Sequence, residues 1–201
     1  MSAERYVSSR QFLFLLVKTN QMKIGFLLLL ILSLNVSMLS AQGTLYAKPK
    51  GPERAQIVDA FRKSLLRKPL PGFKFEDING NKLDKKDLAG KVIVINFWFT
   101  SCQPCISEMP LLNNLVAAYK DTNVVFIAPA ISSRESIEKF LKKYTFDYQI
   151  VADQDDYASK LRVENFPTHI IVDKKGIVRQ VEIGYNPHIK ETLGQTIDAL
   201  R

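Results

Sequence analysis

The apolar residues beyond residue 70 follow two spacings. Continuous apolar runs predict strands that are covered on both faces, while apolar residues three and four positions apart predict helices with one buried face. The turn signals Asn79-Gly80 and Asp173-Lys174-Lys175-Gly176 each predict a hairpin. The predicted strands cover 73–76, 91–99, 124–128, 148–151, 168–172 and 177–183, and the predicted helices cover 105–119, 133–143, 157–161 and 188–200. This order predicts an α/β fold with a central mixed β-sheet flanked by helices and an N-terminal β-hairpin.

A separate apolar run, Ile24 to Leu39, stands before this domain. Lys23 precedes the run and the small residues Ser40-Ala41 end it, a pattern typical of a secretory signal peptide. We therefore predict a signal peptide over residues 1–41, with Met22 as a candidate for the true start of translation. The competing interpretation is an uncleaved membrane anchor, although this run is shorter than the about 20 residues that a spanning helix needs. Either way, the part after the run is expected to be exported.

Residues 42–68 form a predicted leader or linker before the compact domain. Gly51-Pro52 breaks the leader, and apolar residues at helical spacing from Ile57 to Leu66 predict one short helix within it. The prolines and the glycine of 68–72 mark a hinge. We therefore assign residues 69–201 to the domain that carries the function.

The composition suits one ordinary domain and argues against nucleic-acid binding. The chain has 201 residues, of which 46% are hydrophobic, and this is enough for a real core. Its net charge is +8, and residues 1–41 hold four basic residues against one acidic residue, which leaves +5 for the rest. Because the lysines and arginines of that part are scattered rather than arranged in a stripe, no nucleic-acid partner is expected.

The only two cysteines, Cys102 and Cys105, are separated by two residues and directly follow the apolar strand 91–99. A strand, a turn and a helix that opens on CxxC is the local architecture of a dithiol redox centre. A structural disulfide would suit an exported protein, but so short a loop removes little entropy from the unfolded chain. Zinc sites also use CxxC. The spacing favours a reversible redox role.

Further residues around the cysteines resemble one family. The matching segments are 97–105, Glu108-Met109-Pro110, Phe166-Pro167-Thr168, 172–176 and the hairpin residues 77–80. From residue 69 to 201 the chain is similar to thioredoxin-fold proteins of the AhpC/TSA-Redoxin superfamily, and most of all to exported thiol-disulfide oxidoreductases of the TlpA/ResA type. The resemblance implies a thioredoxin-like fold. It also implies that the redox-active disulfide Cys102–Cys105 works without a further cofactor or metal.

Within this resemblance Cys102 is the nucleophile, because unpaired N–H groups at the start of a helix favour its thiolate. The thiolate forms a mixed disulfide with the substrate, which Cys105 then resolves. Pro167 matches the family's cis-proline and is the third candidate catalytic residue, with an ordinary trans proline as the alternative. Residues expected to bind substrate are Trp98, Gln103, Pro104, Phe166 and Thr168, although Trp98 and Phe166 also suit a core.

Glu108, three residues after Cys105, is the fourth candidate catalytic residue. It matches an acidic residue that handles protons near the family's dithiol, and the alternative is a solvated acid in the first turn of the helix. Two departures from the family bear on the chemistry. Asn96 stands where thioredoxin has a buried acid and cannot accept a proton from Cys105, and Ser101 replaces the tryptophan of many relatives.

The expected function is that of an exported, periplasmic thiol-disulfide oxidoreductase that reduces disulfides, a direction implied by the resemblance alone. Its expected partners are thiols and disulfides of exported proteins, such as apocytochromes, and a membrane electron donor. The protein would be soluble after signal cleavage or tethered by its N-terminal segment. Two alternatives stay open. One is a thiol peroxidase, although residues 96–101 lack the proline of that pattern, and the other is a copper metallochaperone using His169 with the two cysteines.

Overall fold

The computed structural model describes residues 51–201. The predicted signal peptide, the candidate start at Met22 and the first part of the leader lie outside the described residues. The helices are α1 (Pro52–Leu65), α2 (Gln103–Ala118), α3 (Arg134–Leu141), α4 (Asp155–Leu161) and α5 (Ile189–Leu200), with a 3₁₀ turn at Lys85–Leu88. The strands are β1 (Lys74–Glu76), β2 (Lys82–Asp84), β3 (Val92–Phe97), β4 (Val124–Pro129), β5 (Gln149–Val151), β6 (Thr168–Val172) and β7 (Val178–Ile183).

Five strands form the central sheet in the order β5-β4-β3-β6-β7. Strand β4 is parallel to both β3 and β5, whereas β6 is antiparallel to both β3 and β7. Strands β1 and β2 form a separate antiparallel hairpin. The mixed sheet, the flanking helices and the N-terminal hairpin confirm the predicted α/β architecture.

A separate apolar cluster packs against each face of the sheet, because successive residues of a strand point to opposite faces. Along β3, Val92 and Val94 lie in one cluster, and Ile93 and Ile95 lie in the other. The first cluster also holds the apolar residues of α2 and α5 and both cysteines, and we call it the dithiol-side cluster. The second holds those of the β1–β2 hairpin and of α4. Burial of β3 on both faces explains why its sequence is a continuous apolar run.

Helix α1 confirms the short helix that was predicted within the leader, and it lies against β7. The Arg62 side chain donates from Nε to the carbonyl oxygen of Val181 at 3.0 Å, and the backbone N–H of Arg67 donates to the carbonyl oxygen of Val178 at 2.8 Å. Phe61 is partly buried against the second cluster. Within residues 51–201, none of the helices combines the length and the apolar character needed to cross a bilayer.

Candidate active site

The two cysteines lie where β3 leads into α2, and they form a disulfide. Their sulfur atoms are 1.96 Å apart and their Cα atoms 5.3 Å apart. Cys102 is the N-cap of α2, and Cys105 lies in the first turn of the helix. Only 3% of Cys102 and 1% of Cys105 is exposed, so the nucleophile candidate is nearly as buried as its partner in this oxidised form.

The start of α2 points its free N–H groups towards Cys102. The backbone N–H of Cys105 donates to the Cys102 sulfur at 3.3 Å. In the reduced protein the same N–H groups and the positive end of the helix dipole favour a thiolate at this sulfur. Gln103 and Pro104 follow directly and are exposed, and a proline suits the first turn because its missing N–H would have no partner there. The first turn therefore places at the Cys102 sulfur the N–H groups that a reactive thiolate requires.

The loop before Cys102 is held by a residue that sequence reasoning missed. The hydroxyl of Ser132 accepts a hydrogen bond from the backbone N–H of Thr100 at 3.0 Å, and the two hydroxyl oxygens are 3.2 Å apart. The N–H of Cys102 donates to the carbonyl oxygen of Phe99 at 3.0 Å. Its neighbour Ser133 caps the next helix, where its hydroxyl accepts the backbone N–H of Ser136 at 3.3 Å.

Pro167 lies beside the carboxyl end of β3, because β6 begins at the next residue and Phe97 pairs with Thr168. The peptide bond between Phe166 and Pro167 is cis, which confirms the predicted isomer. The Pro167 carbonyl oxygen accepts the backbone N–H of Gly184 at 2.8 Å. Phe166 is half-buried, and its ring packs edge-on against Phe99 with centroids 5.3 Å apart. The cysteines and the cis-proline thus lie at the same end of the sheet, where β3 ends and β6 begins.

Two residues predicted to bind substrate have buried side chains. Trp98 has no exposed surface, and its ring packs between those of Phe140 and Phe146 at centroid distances of 5.2 and 5.4 Å. Thr168 is also fully buried, and its hydroxyl donates to the carbonyl oxygen of Asn165 at 2.7 Å. We correct the prediction for both side chains: a protein substrate does not reach them in this conformation. Trp98 instead shares the dithiol-side cluster with the cysteines.

Glu108 is buried in a pair that sequence reasoning did not foresee. One oxygen of its carboxylate lies 2.9 Å from Nε2 of His169, and both side chains have no exposed surface. The other oxygen accepts the backbone N–H of Asn186 at 2.6 Å. The alternative of a solvated acid is therefore wrong. His169 is likewise fully buried, with Glu108 as its partner.

Helix periodicity and strand pairing explain why this pair forms. Cys105, Glu108, Leu112 and Leu115 follow one another at intervals of three and four, so all four lie on the buried face of α2. His169 lies on β6 directly opposite Asn96 of β3, on the face of the sheet that α2 covers. A polar residue on each of two facing buried surfaces was the sequence signal that could have revealed the pair.

Three polar atoms near this pair have no hydrogen-bond partner within residues 51–201. They are Oδ1 of Asn96, Nδ1 of His169 and the hydroxyl of Tyr148. Burial raises the pKa of Tyr148 far above its usual range, and the negative charge of Glu108 raises it further. Tyr148 therefore stays protonated and neutral at any physiological pH.

The described residues give no support to a copper site. Among residues 51–201, no group of three or more His, Cys, Asp or Glu side chains is arranged to hold a metal ion. The Nε2 atom of His169 is engaged with Glu108, and both cysteine sulfurs are bonded to each other. The chemistry that this arrangement offers is thiol-disulfide exchange with a buried carboxylate nearby.

Comparison with known proteins leads to the same chemistry. The family model described as Redoxin matches residues 66–197. The thiol-disulfide oxidoreductase ResA of Bacillus thuringiensis (strain Al Hakam) is 32% identical over 170 residues, which cover 84% of this chain and 91% of that protein. The protein of the same name from a strain of Bacillus cereus is 35% identical over 124 residues, which cover 61% of this chain and 72% of that protein.

A solved structure also matches the fold. A putative thiol:disulfide interchange protein DsbE from Chlorobium tepidum superposes with a TM-score of 0.62 at 25% sequence identity. The match covers 67% of this chain and 96% of that chain. This likeness confirms the thioredoxin-like fold.

Proposed function

Since the chain belongs to the Redoxin family, among its TlpA/ResA-like thiol-disulfide oxidoreductases, we propose that it reduces disulfides of exported proteins. The observation that carries this proposal is the position of Cys102 as N-cap of α2, bonded to Cys105 one turn further on. A cysteine in this position has a favoured thiolate, and a second thiol within reach makes its reaction reversible.

The proposed reaction moves two electrons from the protein to its substrate. The Cys102 thiolate attacks one sulfur of the substrate disulfide, the substrate S–S bond breaks, and the other substrate sulfur leaves as a thiolate. Cys105 then loses its proton and attacks the Cys102 sulfur, which releases the second substrate thiol. The protein ends with the Cys102–Cys105 disulfide that the structure contains. The reaction needs no metal or organic cofactor beyond this cysteine pair.

Glu108 is the proposed proton acceptor for Cys105. The two residues are three positions apart on the buried face of α2, a spacing that brings side chains of a helix together. Asn96, where thioredoxin has an acid, is an amide and cannot serve as the base. Because only 1% of Cys105 is exposed, solvent has little access to its proton. A buried carboxylate one turn away supplies what solvent does not.

The proposed substrate surface surrounds Cys102. Gln103 and Pro104 are exposed beside it, and Phe166 precedes the cis-proline Pro167, whose neighbouring backbone is proposed to dock the substrate chain. Tyr185 adds an exposed aromatic ring next to this surface, because its neighbour Gly184 donates to the Pro167 carbonyl. Aromatic side chains are common anchors in protein recognition.

Export and the reducing direction complete the proposal. Export is supported by the signal-peptide pattern of residues 1–41. The reducing direction is supported by the resemblance to the TlpA/ResA type. In an oxidising compartment a reductant must be recharged, so the proposed partners are a membrane electron donor on one side and misoxidised exported proteins, including apocytochromes, on the other.

Trapping of the mixed disulfide tests this proposal. In Cys105→Ser the resolving thiol is absent, so exported proteins should stay linked to Cys102 and appear on gels as complexes that a reductant dissolves. Cys102→Ser is the matched control, because it keeps one thiol but lacks the nucleophile, and it should trap nothing.

Three results would contradict the proposal. The first is equal trapping by the two variants, and the second is a set of trapped partners confined to proteins that are not exported. The third is rapid consumption of hydrogen peroxide by the reduced wild-type protein without transfer to protein disulfides, which would favour the thiol peroxidase instead.

A further inference from the structure

We propose that His169 is a positioning residue that holds Glu108 ionised and aimed for proton transfer with Cys105. This inference rests on the proposed function and deepens it, because it assigns a partner to the base of the resolving step. It starts from the burial of the pair: both side chains have no exposed surface, and Nε2 of His169 lies 2.9 Å from the Glu108 carboxylate. A pair so fully enclosed exchanges protons with its neighbours more readily than with solvent.

The unpaired nitrogen of His169 identifies its tautomer. Nδ1 is buried and has no hydrogen-bond partner within residues 51–201. A buried N–H without an acceptor is rarer and costlier than a buried lone pair without a donor. The proton of the neutral ring therefore belongs on Nε2, from which it is donated to Glu108. Glu108 accepts this bond as a carboxylate.

The carboxylate receives one N–H donor on each oxygen. His169 donates to one oxygen, and the backbone N–H of Asn186 donates to the other at 2.6 Å. Donors that bond the charged form favour that form, which offsets the cost of burying it. Because Asn186 acts through its backbone, only proline there would remove its bond, and proline would also alter the loop. His169 is the donor that a mutation can test.

The groups that face this pair limit what else could act as the base. Cys102 is the N-cap of α2, and Cys105 lies on the same buried face of that helix as Glu108. Glu182 of β7 lies opposite His169 in the strand register, and Tyr148, just before β5, is close enough to feel the charge of Glu108. Tyr148 stays neutral because burial raises its pKa. Glu182 is only partly buried, and its strand β7 is separated from β3 by β6. Glu108 is therefore the ionisable group placed to serve Cys105.

The proposed step balances within the site. In the mixed disulfide, the Cys105 thiol transfers its proton to Glu108, and the sulfur electron pair forms the bond to the Cys102 sulfur. The bond between Cys102 and the substrate breaks, and its electron pair leaves with the substrate sulfur. The proton then passes from Glu108 to the departing thiolate. His169 keeps its own proton on Nε2 throughout, so it acts through Glu108 and does not touch the reacting sulfurs.

A two-phase reaction separates the resolving step from the first attack. The reduced full-length chain is mixed with 5,5′-dithiobis(2-nitrobenzoate) in a stopped-flow instrument. The first phase releases one thionitrobenzoate by attack of Cys102, and its rate depends on reagent concentration. The second phase releases the other by attack of Cys105, and its rate does not. The variants are Glu108→Gln, His169→Leu, His169→Gln and the double variant Glu108→Gln/His169→Leu, with His188→Leu as a control at the only other histidine.

The expected result is a selective loss in the second phase. Glu108→Gln and His169→Leu should each slow it about tenfold or more, the effect expected when a positioned base is lost. The double variant should be no slower than the slower single variant, because both changes disable one unit. His169→Gln should recover the rate to within about threefold of wild type, since its amide also donates. The first phase and the His188→Leu rates should be unchanged.

Separate outcomes would overturn the inference and the proposed function. Two results would overturn the inference but not the proposed function. One is a second phase in His169→Leu that is as fast as in wild type. The other is a double variant whose loss in rate equals the product of the two single losses. A wild-type protein without a fast first phase would overturn the proposed function. A measurement on wild type needs no variant to fold: nitrogen NMR should show His169 protonated on Nε2 and bare on Nδ1 at neutral pH. A proton on Nδ1 would overturn the inference.

Discussion

The pair of Glu108 and His169 should contribute to stability as one unit. We consider Glu108→Leu and His169→Leu, singly and together, in the oxidised protein. Each single substitution leaves a buried partner without its hydrogen bond, at a cost of about 1–3 kcal/mol. The double substitution leaves neither. The lost bond from Asn186 and the gain from burying leucine occur in the single and double variants alike, so they cancel in the cycle. The coupling free energy should be about 2–3 kcal/mol.

A surface pair provides the matched control for this cycle. Glu135 and Lys139 lie one turn apart on α3 with their charged atoms 2.7 Å apart, which is closer than the buried pair. Their side chains are 77% and 71% exposed, so solvent screens them and the coupling should be only about 0.3–0.5 kcal/mol. The comparison separates the effect of burial from that of distance.

Urea unfolding measures both cycles, with the fluorescence of Trp98, the only tryptophan, as the probe. The free energy of unfolding of each variant comes from the linear extrapolation to zero urea. The reasoning would be refuted if the buried pair showed a coupling free energy below about 0.5 kcal/mol, because the effects of substitutions at independent sites are additive to within that amount. It would also be refuted if the buried pair coupled no more strongly than the surface pair.

Two further substitutions probe the hairpin beside β6 and the substrate surface. Burial raises the pKa of Asp173, but hydrogen bonds from Ile177, Arg179 and Lys175 outweigh it and lower the pKa overall. Its stabilisation is therefore full above the unfolded pKa of about 3.9 and lost as the pH falls through the lower folded value. Asp173→Asn should cost about 1–3 kcal/mol in urea unfolding at pH 7, with a gap to wild type that closes in acid; a gap independent of pH would contradict this. Phe166→Ala should lower kcat/KM for a protein disulfide about tenfold but leave the first phase with the small aromatic disulfide unchanged, and equal losses with both would contradict a docking role.

The fold was predictable because its main strands and turns are marked by local sequence patterns. The apolar run of β3 and the turn residues Asn79-Gly80 required no knowledge of distant contacts. Strand β6 was predicted with the observed bounds, 168–172. Helix boundaries were less certain, since α3 ends at Leu141 although the helix was predicted to continue to residue 143.

The candidate site was only partly predictable, because its buried contacts join distant segments. The cysteines and Pro167 have local signals, namely CxxC and a proline before a strand. The pairing of Glu108 with His169 spans 61 residues and depends on β6 lying next to β3, which the sequence pattern does not specify. For Trp98 the sequence carried two conflicting signals. Its position shortly before Cys102 favoured a substrate contact, whereas its apolar neighbours along the strand indicated the core, where the structure places it.

The reduction potential of the Cys102–Cys105 pair tests the central proposal most directly. The full-length chain would be equilibrated in defined thiol buffers, and the reduced fraction would be counted by alkylation of free thiols. Thioredoxin has a potential of about −270 mV and the strong oxidant DsbA about −120 mV. A reductant of exported proteins predicts a value towards the first. A value towards the second would contradict the reducing direction and indicate a protein that introduces or rearranges disulfides.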